Sequence, residues 1–149
     1  MTVIAWDGKT LAVDRMGTNG DKKFPAKKCR KTQNGDIIAW SGTLEVGITL
    51  ADWWEAGRDP KTWPEAQKGE DWTRLVILMG GQVYTMEQLP VLQPVESPFH
   101  AWGSGSEFAM GAMAMGADAR KAVEIASQLC PSCGFGVDAY DVEIQEDVA

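Results

Sequence analysis

The chain opens with two short apolar runs, Thr2–Trp6 and Thr10–Asp14, on either side of Asp7-Gly8. An Asp-Gly pair readily takes the positive-φ conformations of a tight hairpin turn, so the runs are expected to pair as antiparallel strands. That pairing commits this end of the chain to a sheet and folds Asp14 back toward Thr2. A second hairpin is expected where Gln33-Asn34-Gly35 joins Ala26–Thr32 to Asp36–Ser41, because Asn-Gly is the strongest short turn signal. A loop carrying Gly17 and Gly20 is expected between the two hairpins.

Thr43 then reads as the N-cap of a helix, with Val46, Leu50, Trp53 and Trp54 at helical spacing and a stop near Gly57. A polar stretch from Arg58 to Asp71 leads to strands at Thr73–Met79 and Gln82–Met86, turned by Gly80-Gly81. An irregular segment with Pro90, Pro94 and Pro98 precedes a short strand at His100–Trp102. From Ser104 to Ala117 the pattern is helical and built of small residues and methionine, which allows close approach to a neighbour. Asp118 is placed to cap a further helix, Ala119–Leu129, which Cys130-Pro131-Ser132-Cys133 ends, and Val137–Ile144 reads as a last strand. Two antiparallel sheets with helices outside, an α+β fold forming one domain over residues 1–149, is the expectation.

Length and composition bound the function. A chain of 149 residues with 44% hydrophobic and 23% charged residues is expected to bury a real core. No signal peptide is expected, since Asp7 interrupts the opening run, and no apolar stretch approaches a membrane span. Three cysteines, an odd number, suit a reducing compartment such as the cytoplasm. A net charge of −7 argues against a nucleic-acid-binding protein. The basic cluster Lys22, Lys23, Lys27, Lys28, Arg30 and Lys31 is either a solvated strand edge or the surroundings of one buried lysine. Seven tryptophans fit either a homo-oligomer interface or core packing.

The chemistry turns on Thr2. With Met1 removed, its hydroxyl and a free α-amine lie on adjacent carbons, and an α-amine titrating near ~7.7–8.0 takes a hydroxyl proton at neutral pH. With Met1 retained, Thr2 is an ordinary threonine. A small second residue suits removal of the methionine.

The order of elements and several strings resemble the proteasome β-subunit and HslV-type N-terminal nucleophile hydrolases. The strings are Asp7-Gly-Lys-Thr-Leu-Ala-Val-Asp14-Arg15, Lys27-Lys28-Cys-Arg-Lys with Asp36-Ile-Ile-Ala-Trp-Ser-Gly42, and Trp102-Gly103-Ser104-Gly105-Ser106. The resemblance implies a four-layer αββα sandwich. One helix layer would be reduced, since the chain between the first helix and Thr73 is too short for a second full helix. It implies Thr2 as nucleophile, with Asp14 and Lys28 as the carboxylate–ammonium pair beside it and Ser104 hydrogen-bonding near the amine. The oxyanion would be held by a backbone N–H in the turn at Gly42. A peptide or protein substrate, a homo-oligomer with a ring possible, and no cofactor, metal, nucleic acid or membrane follow. Short members opening with Met-Thr and an Asp-Gly hairpin are similar to ones carried by bacteriophages, which would place the protein in a bacterial host's cytoplasm.

Two departures bear on this reading. The hairpin between Thr2 and Asp14 is shorter than the family's. Where the family has Asp-x-x-Ser-Gly near the amine, this chain has Cys130-Pro131-Ser132-Cys133-Gly134, and Asp138 lies too far along to replace the aspartate. A non-catalytic assembly or scaffold protein of the same fold, with Met1 retained, is therefore a second reading. In that reading Asp14-Arg15 is a surface ion pair, Lys28 a solvated strand lysine, and Ser104 an N-cap with Glu107 at the capping-box position. A thiol redox or metal site at Cys130 and Cys133 is a third, although a helix C-terminus disfavours a thiolate and only Cys29 and His100 remain as further zinc ligands. His100 has no serine or cysteine partner in a recognisable motif and reads as structural.

Overall fold

The computed structural model describes residues 2–142. The first hairpin forms as its turn chemistry dictates: β1 (Ile4–Trp6) and β2 (Thr10–Asp14) run antiparallel with Ile4 opposite Val13 and Trp6 opposite Leu11. Its central residues are Gly8 and Lys9, and Gly8 supplies the positive φ of 94° that a side chain would resist. Asp7 Oδ1 accepts the N–H groups of Lys9 and Thr10, each at 2.8 Å, while Oδ2 accepts that of Ala119 at 2.8 Å. One carboxylate thus closes the hairpin and ties it to the start of a later helix. β10 (His100–Trp102) pairs with β1, and β11 (Val137–Asp141) with β2. Residues 143 and 144 of the expected last strand lie outside the described residues.

The second sheet has the order β5-β6-β7-β8-β9, all antiparallel: Cys29–Lys31, Ile37–Ser41, Arg74–Met79, Gln82–Met86 and Gln93–Pro94. The period-two alternation of strands assigns each side chain to a layer. Ile4, Trp6, Leu11 and Val13 meet Ile37, Ala39, Val76 and Leu78 between the sheets. Val3, Ala5 and Ala12 face outward onto α2 (Ser106–Ala114) and α3 (Ala119–Leu129), where small residues let the helices approach closely. Ile38, Trp40, Leu75 and Ile77 face the opposite way, onto Leu50, Ala51, Trp53 and Trp54 of α1 (Leu44–Glu55). The result is a four-layer αββα sandwich with α1 as the only α-helix of its layer among the described residues. Two short 3-10 turns, Pro60–Thr62 and Glu65–Lys68, take the place of a second helix there. Six of the seven tryptophans are buried, so core packing accounts for most of them.

Two local expectations are corrected. The Gly17–Gly20 loop is a hairpin, β3 (Met16–Asn19) with β4 (Lys22–Pro25), turned at Gly20-Asp21. Its strands are polar and mostly solvent-facing, so no apolar alternation marked them. The second helix begins at Ser106, with Gly105 as its N-cap rather than Ser104, because the serine hydroxyl is engaged elsewhere. Thr43 and Asp118 are N-caps as expected, and Asp118 Oδ1 accepts the Lys121 N–H at 2.8 Å.

Candidate functional site

β1 begins at Ile4, so Thr2 precedes the strand and lies alongside the end of β2, where Asp14 is the last residue. The shortened hairpin therefore still delivers Thr2 to Asp14: Val3 N–H donates to Asp14 Oδ1 at 3.1 Å, and Asp14 N–H to the Val3 carbonyl at 3.2 Å. Lys28 arrives just before β5, its carbonyl accepting the Trp40 N–H at 3.1 Å, so that β6 fixes the lysine backbone. Lys28 Nζ donates to Asp14 Oδ1 at 2.6 Å and to Thr2 Oγ1 at 3.1 Å. All three residues are buried, with Asp14 at 0% exposure. Of the basic cluster, Lys28 is thus the buried lysine, while Lys22, Lys23, Lys27 and Lys31 are exposed.

A buried ion pair stands only if the remaining lone pairs and protons are satisfied. Asp14 meets that condition. Its Oδ2 accepts the N–H groups of Met16 at 3.4 Å and Gly134 at 3.1 Å, in addition to the two bonds on Oδ1. Four donors around one carboxylate satisfy both of its oxygens, and the carboxylate in turn holds Lys28 Nζ against the Thr2 hydroxyl. Asp14 and Arg15 do not form a surface pair with each other: Arg15 reaches Asp138 at 3.5 Å.

Ser104 closes the other side. The Thr2 nitrogen donates to Ser104 Oγ at 3.2 Å, and Ser104 Oγ donates to the Thr2 carbonyl at 3.4 Å, which also accepts the Gly105 N–H at 3.2 Å. This fit needs Gly103, whose φ is 96° and where a Cβ would lie 2.2 Å from the Thr2 carbonyl oxygen. At the opposite end of the site, Gly42 has a φ of 142°, and a Cβ there would meet Thr73 Oγ1 at 2.7 Å. Thr73 Oγ1 accepts the Thr43 N–H at 3.1 Å and so pins the turn that the sequence nominated for an oxyanion. Thr73 is itself held by Gln67, which is fully buried and bridges its N–H and C=O at 2.7 Å each. Neither Thr73 nor Gln67 belongs to any motif; each lies in or beside the polar stretch that sequence pattern leaves unassigned.

A cleft of about 710 Å³ opens from Thr2 and Lys28. It runs between the β3–β4 hairpin, through Met16 and Phe24, and the Gly42–Glu45 turn, with Trp40 and Trp72 as aromatic walls. Gly17, Thr18 and Asn19 of the hairpin and Thr43 and Leu44 of the turn complete its lining.

Cys130 and Cys133, at the end of α3, place both sulfurs 4.0 Å from Ser104 Oγ. Burial pushes the Cys130 thiol up, but the backbone N–H of Ser132 and the side chains of Cys133 and Ser104 outweigh it, so the net shift is downward. Cys133 is pushed up to about 12 by burial, the Asp14 charge and Cys130. Asp138 pairs with Arg15 at 3.5 Å. Cys29 lies between the sheets, 3.8 Å from Tyr140 Oη and from Asp138, and burial raises it to about 11. His100 stacks edge-on against Trp102 at 4.9 Å. Among the described residues no group of three His, Cys, Asp or Glu is placed to hold a metal, and no helix is long and apolar enough to cross a membrane.

No protein-family model matches the sequence, and neither does any curated protein. Solved structures do match. Eukaryotic HslV from Trypanosoma brucei superposes with a TM-score of 0.72 at 20% identity, over 96% of this chain and 99% of that one. The fold is that of HslV. Thiobacillus denitrificans BPH shares the HslV-like architecture with a TM-score of 0.73 at 20% identity, over 98% and 99% of the two chains. A complex of that protein with epoxomicin matches at 0.72 and 22% identity, over 96% and 98%. At these identities the HslV likeness is one of fold, and what the site does rests on its own geometry.

Proposed function

We propose that this chain is a threonine-type peptidase or amidohydrolase in which Thr2, freed by removal of Met1, is the nucleophile. The single observation that carries the reading is the buried chain Asp14–Lys28–Thr2, with Lys28 Nζ 3.1 Å from the hydroxyl oxygen. A cation at that distance stabilises the alkoxide that forms as the hydroxyl loses its proton. The freed α-amine, positioned by Ser104, takes that proton. Oγ1 adds to the substrate carbonyl, and the oxyanion is met by backbone N–H at the Gly42 turn. Collapse of the tetrahedral species expels the amine leaving group, which receives the proton from the ammonium. Water, activated by the same amine, then hydrolyses the ester on Thr2.

Peptides or proteins entering the cleft beside Trp40 and Trp72 are the substrate class. A homo-oligomer, a bacteriophage origin and a host cytoplasm complete the reading as proposals; the likeness to HslV supports the first. One solved structure of similar fold is a complex with epoxomicin, which supports a ligand-binding cleft in this fold. The second reading, a non-catalytic assembly protein with Met1 retained, is favoured by one feature: thiols rather than a carboxylate surround Ser104. Intact mass of the native protein and peptide hydrolysis by Thr2→Ala separate the two. A chain starting at Thr2, with hydrolysis abolished by Thr2→Ala, supports the peptidase. Retained Met1 with no hydrolysis supports the assembly protein.

A further inference from the structure

Two buried thiols face the serine that holds the Thr2 nitrogen, and no step of the reaction above uses them. Cys130 and Cys133 span a turn closed by the Cys133 N–H on the Cys130 carbonyl at 3.2 Å, with Pro131 at the position where its fixed φ suits such a turn. A closed four-residue turn keeps its end Cα atoms within about 7 Å, and disulfides span Cα separations of roughly 4.4–6.8 Å. The turn therefore brings the two Cα atoms to the range of separations that a disulfide spans. The same turn touches both arms of the site. Its sulfurs lie 4.0 Å from Ser104 Oγ, and its Gly134 N–H donates to Asp14 Oδ2 at 3.1 Å. Space around it is tight: a Cβ on Gly105 would lie 2.9 Å from Cys133 Sγ, so the sulfur has no slack on that side.

We propose that Cys130 and Cys133 are a redox-modification site whose oxidation to a disulfide by a hydroperoxide displaces Ser104 from the Thr2 nitrogen and lowers hydrolysis. The effect on hydrolysis rests on the peptidase reading; the modification itself does not. In the first step the Cys130 thiolate attacks a peroxide oxygen, the O–O bond breaks, and a sulfenic acid forms as an alcohol or water departs. Cys133 then attacks that sulfur, the S–S bond forms, and water leaves with the thiol proton. The two sulfurs lose two electrons together and the peroxide gains two, so no other reductant or oxidant is needed. Cys130 acts first because hydrogen bonds at its sulfur favour the thiolate, whereas the Asp14 charge opposes ionisation of Cys133. Joining the sulfurs at ~2.05 Å draws them off their present positions around Ser104 Oγ and removes both S–H donors. Ser104 then loses partners on the side away from Thr2, and the movement of the sulfurs is felt at Asp14 through the Gly134 N–H.

The test uses the full chain, titrated with hydrogen peroxide and then with dithiothreitol. Peptide mapping should show loss of two hydrogens in a linked Cys130–Cys133 peptide, and the Ser104 β-methylene NMR signals should shift on oxidation. Hydrolysis, expressed as the ratio of oxidised to reduced activity within each protein, should fall about tenfold or more and recover with the reductant. In Cys130→Ser and Cys130→Ala that ratio should stay near one, while Cys29→Ala should respond like the parent. Failure to form the disulfide, or a disulfide that leaves both the Ser104 signals and the activity ratio unchanged, overturns the proposal. If the reduced protein hydrolyses nothing, the peptidase reading fails, and the linked peptide with the Ser104 shift still decides the redox site.

Discussion

Asp14→Asn is the substitution that most sharply probes the site, because it keeps shape and removes only charge and acceptor capacity. Each oxygen of Asp14 accepts two bonds: Oδ1 from Val3 N–H and Lys28 Nζ, Oδ2 from the N–H groups of Met16 and Gly134. An asparagine must turn its NH₂ group toward one of these pairs, and a donor then faces two donors. Hydrogen bonds to a charged group contribute about 1.5–3 kcal/mol each, and breaking a buried ion pair costs about 3–5 kcal/mol. These describe one loss seen two ways and are not summed, so the expected destabilisation is roughly 3–5 kcal/mol. Urea denaturation followed by tryptophan fluorescence measures it. At a slope of about 2 kcal/mol per molar urea, the midpoint should drop by roughly 2 M. Asp138→Asn serves as the control, since its partner Arg15 is 45% exposed and the pair should contribute less than about 1 kcal/mol. An Asp14→Asn variant within about 1 kcal/mol of the parent would refute a buried carboxylate held by four donors at the centre of this site.

Lys28→Met should lower peptide hydrolysis by about 10²-fold or more, the usual cost of losing one preorganised charge-stabilising donor, with circular dichroism confirming the fold. Gly103→Ala places a methyl 2.2 Å from the Thr2 carbonyl oxygen at a φ of 96°; both stability and hydrolysis should fall, measured by urea midpoint and initial rates. Alkaline pH should also destabilise the chain. Cys29 and Cys133 are raised from 9.0 to about 11 and about 12, so the folded chain keeps them protonated where the unfolded chain ionises them. Their stabilising contribution is whole below pH 9.0 and is lost as pH climbs toward those values, at about 1.4 kcal/mol per pH unit for each thiol. Urea midpoints between pH 8 and pH 10 should therefore show a shallower decline in Cys29→Ala than in the parent.

The layers were legible in the sequence because turn chemistry and side-chain period agree. Asp7-Gly8 and Asn34-Gly35 mark two hairpins, and the alternation of Ile37, Ile38, Ala39 and Trp40 splits one strand between two cores. Thr2, Asp14, Lys28 and Ser104 were named from strings far apart in the chain, and the fold gathers them within hydrogen-bond reach. What escaped was set by tertiary contacts. The β3–β4 hairpin is polar and carries no core-facing stripe, so only the pairing of its two strands with each other reveals it. Gln67 and Thr73 pin the Gly42 turn through backbone groups that no local pattern announces. The contacts of Cys130 with Ser104 and of Cys133 with Ser104 join elements far apart in the chain, and no local pattern announces them.

The central claim is that Thr2 presents a free amine and a hydroxyl together. A peptide epoxyketone tests both at once: the hydroxyl adds to the ketone and the adjacent amine opens the epoxide, closing a ring that keeps the whole reagent. Mass spectrometry of the N-terminal peptide after incubation should show a chain beginning at Thr2 and heavier by one full reagent. An N-terminal peptide that still begins with Met1 and carries no adduct would contradict the account.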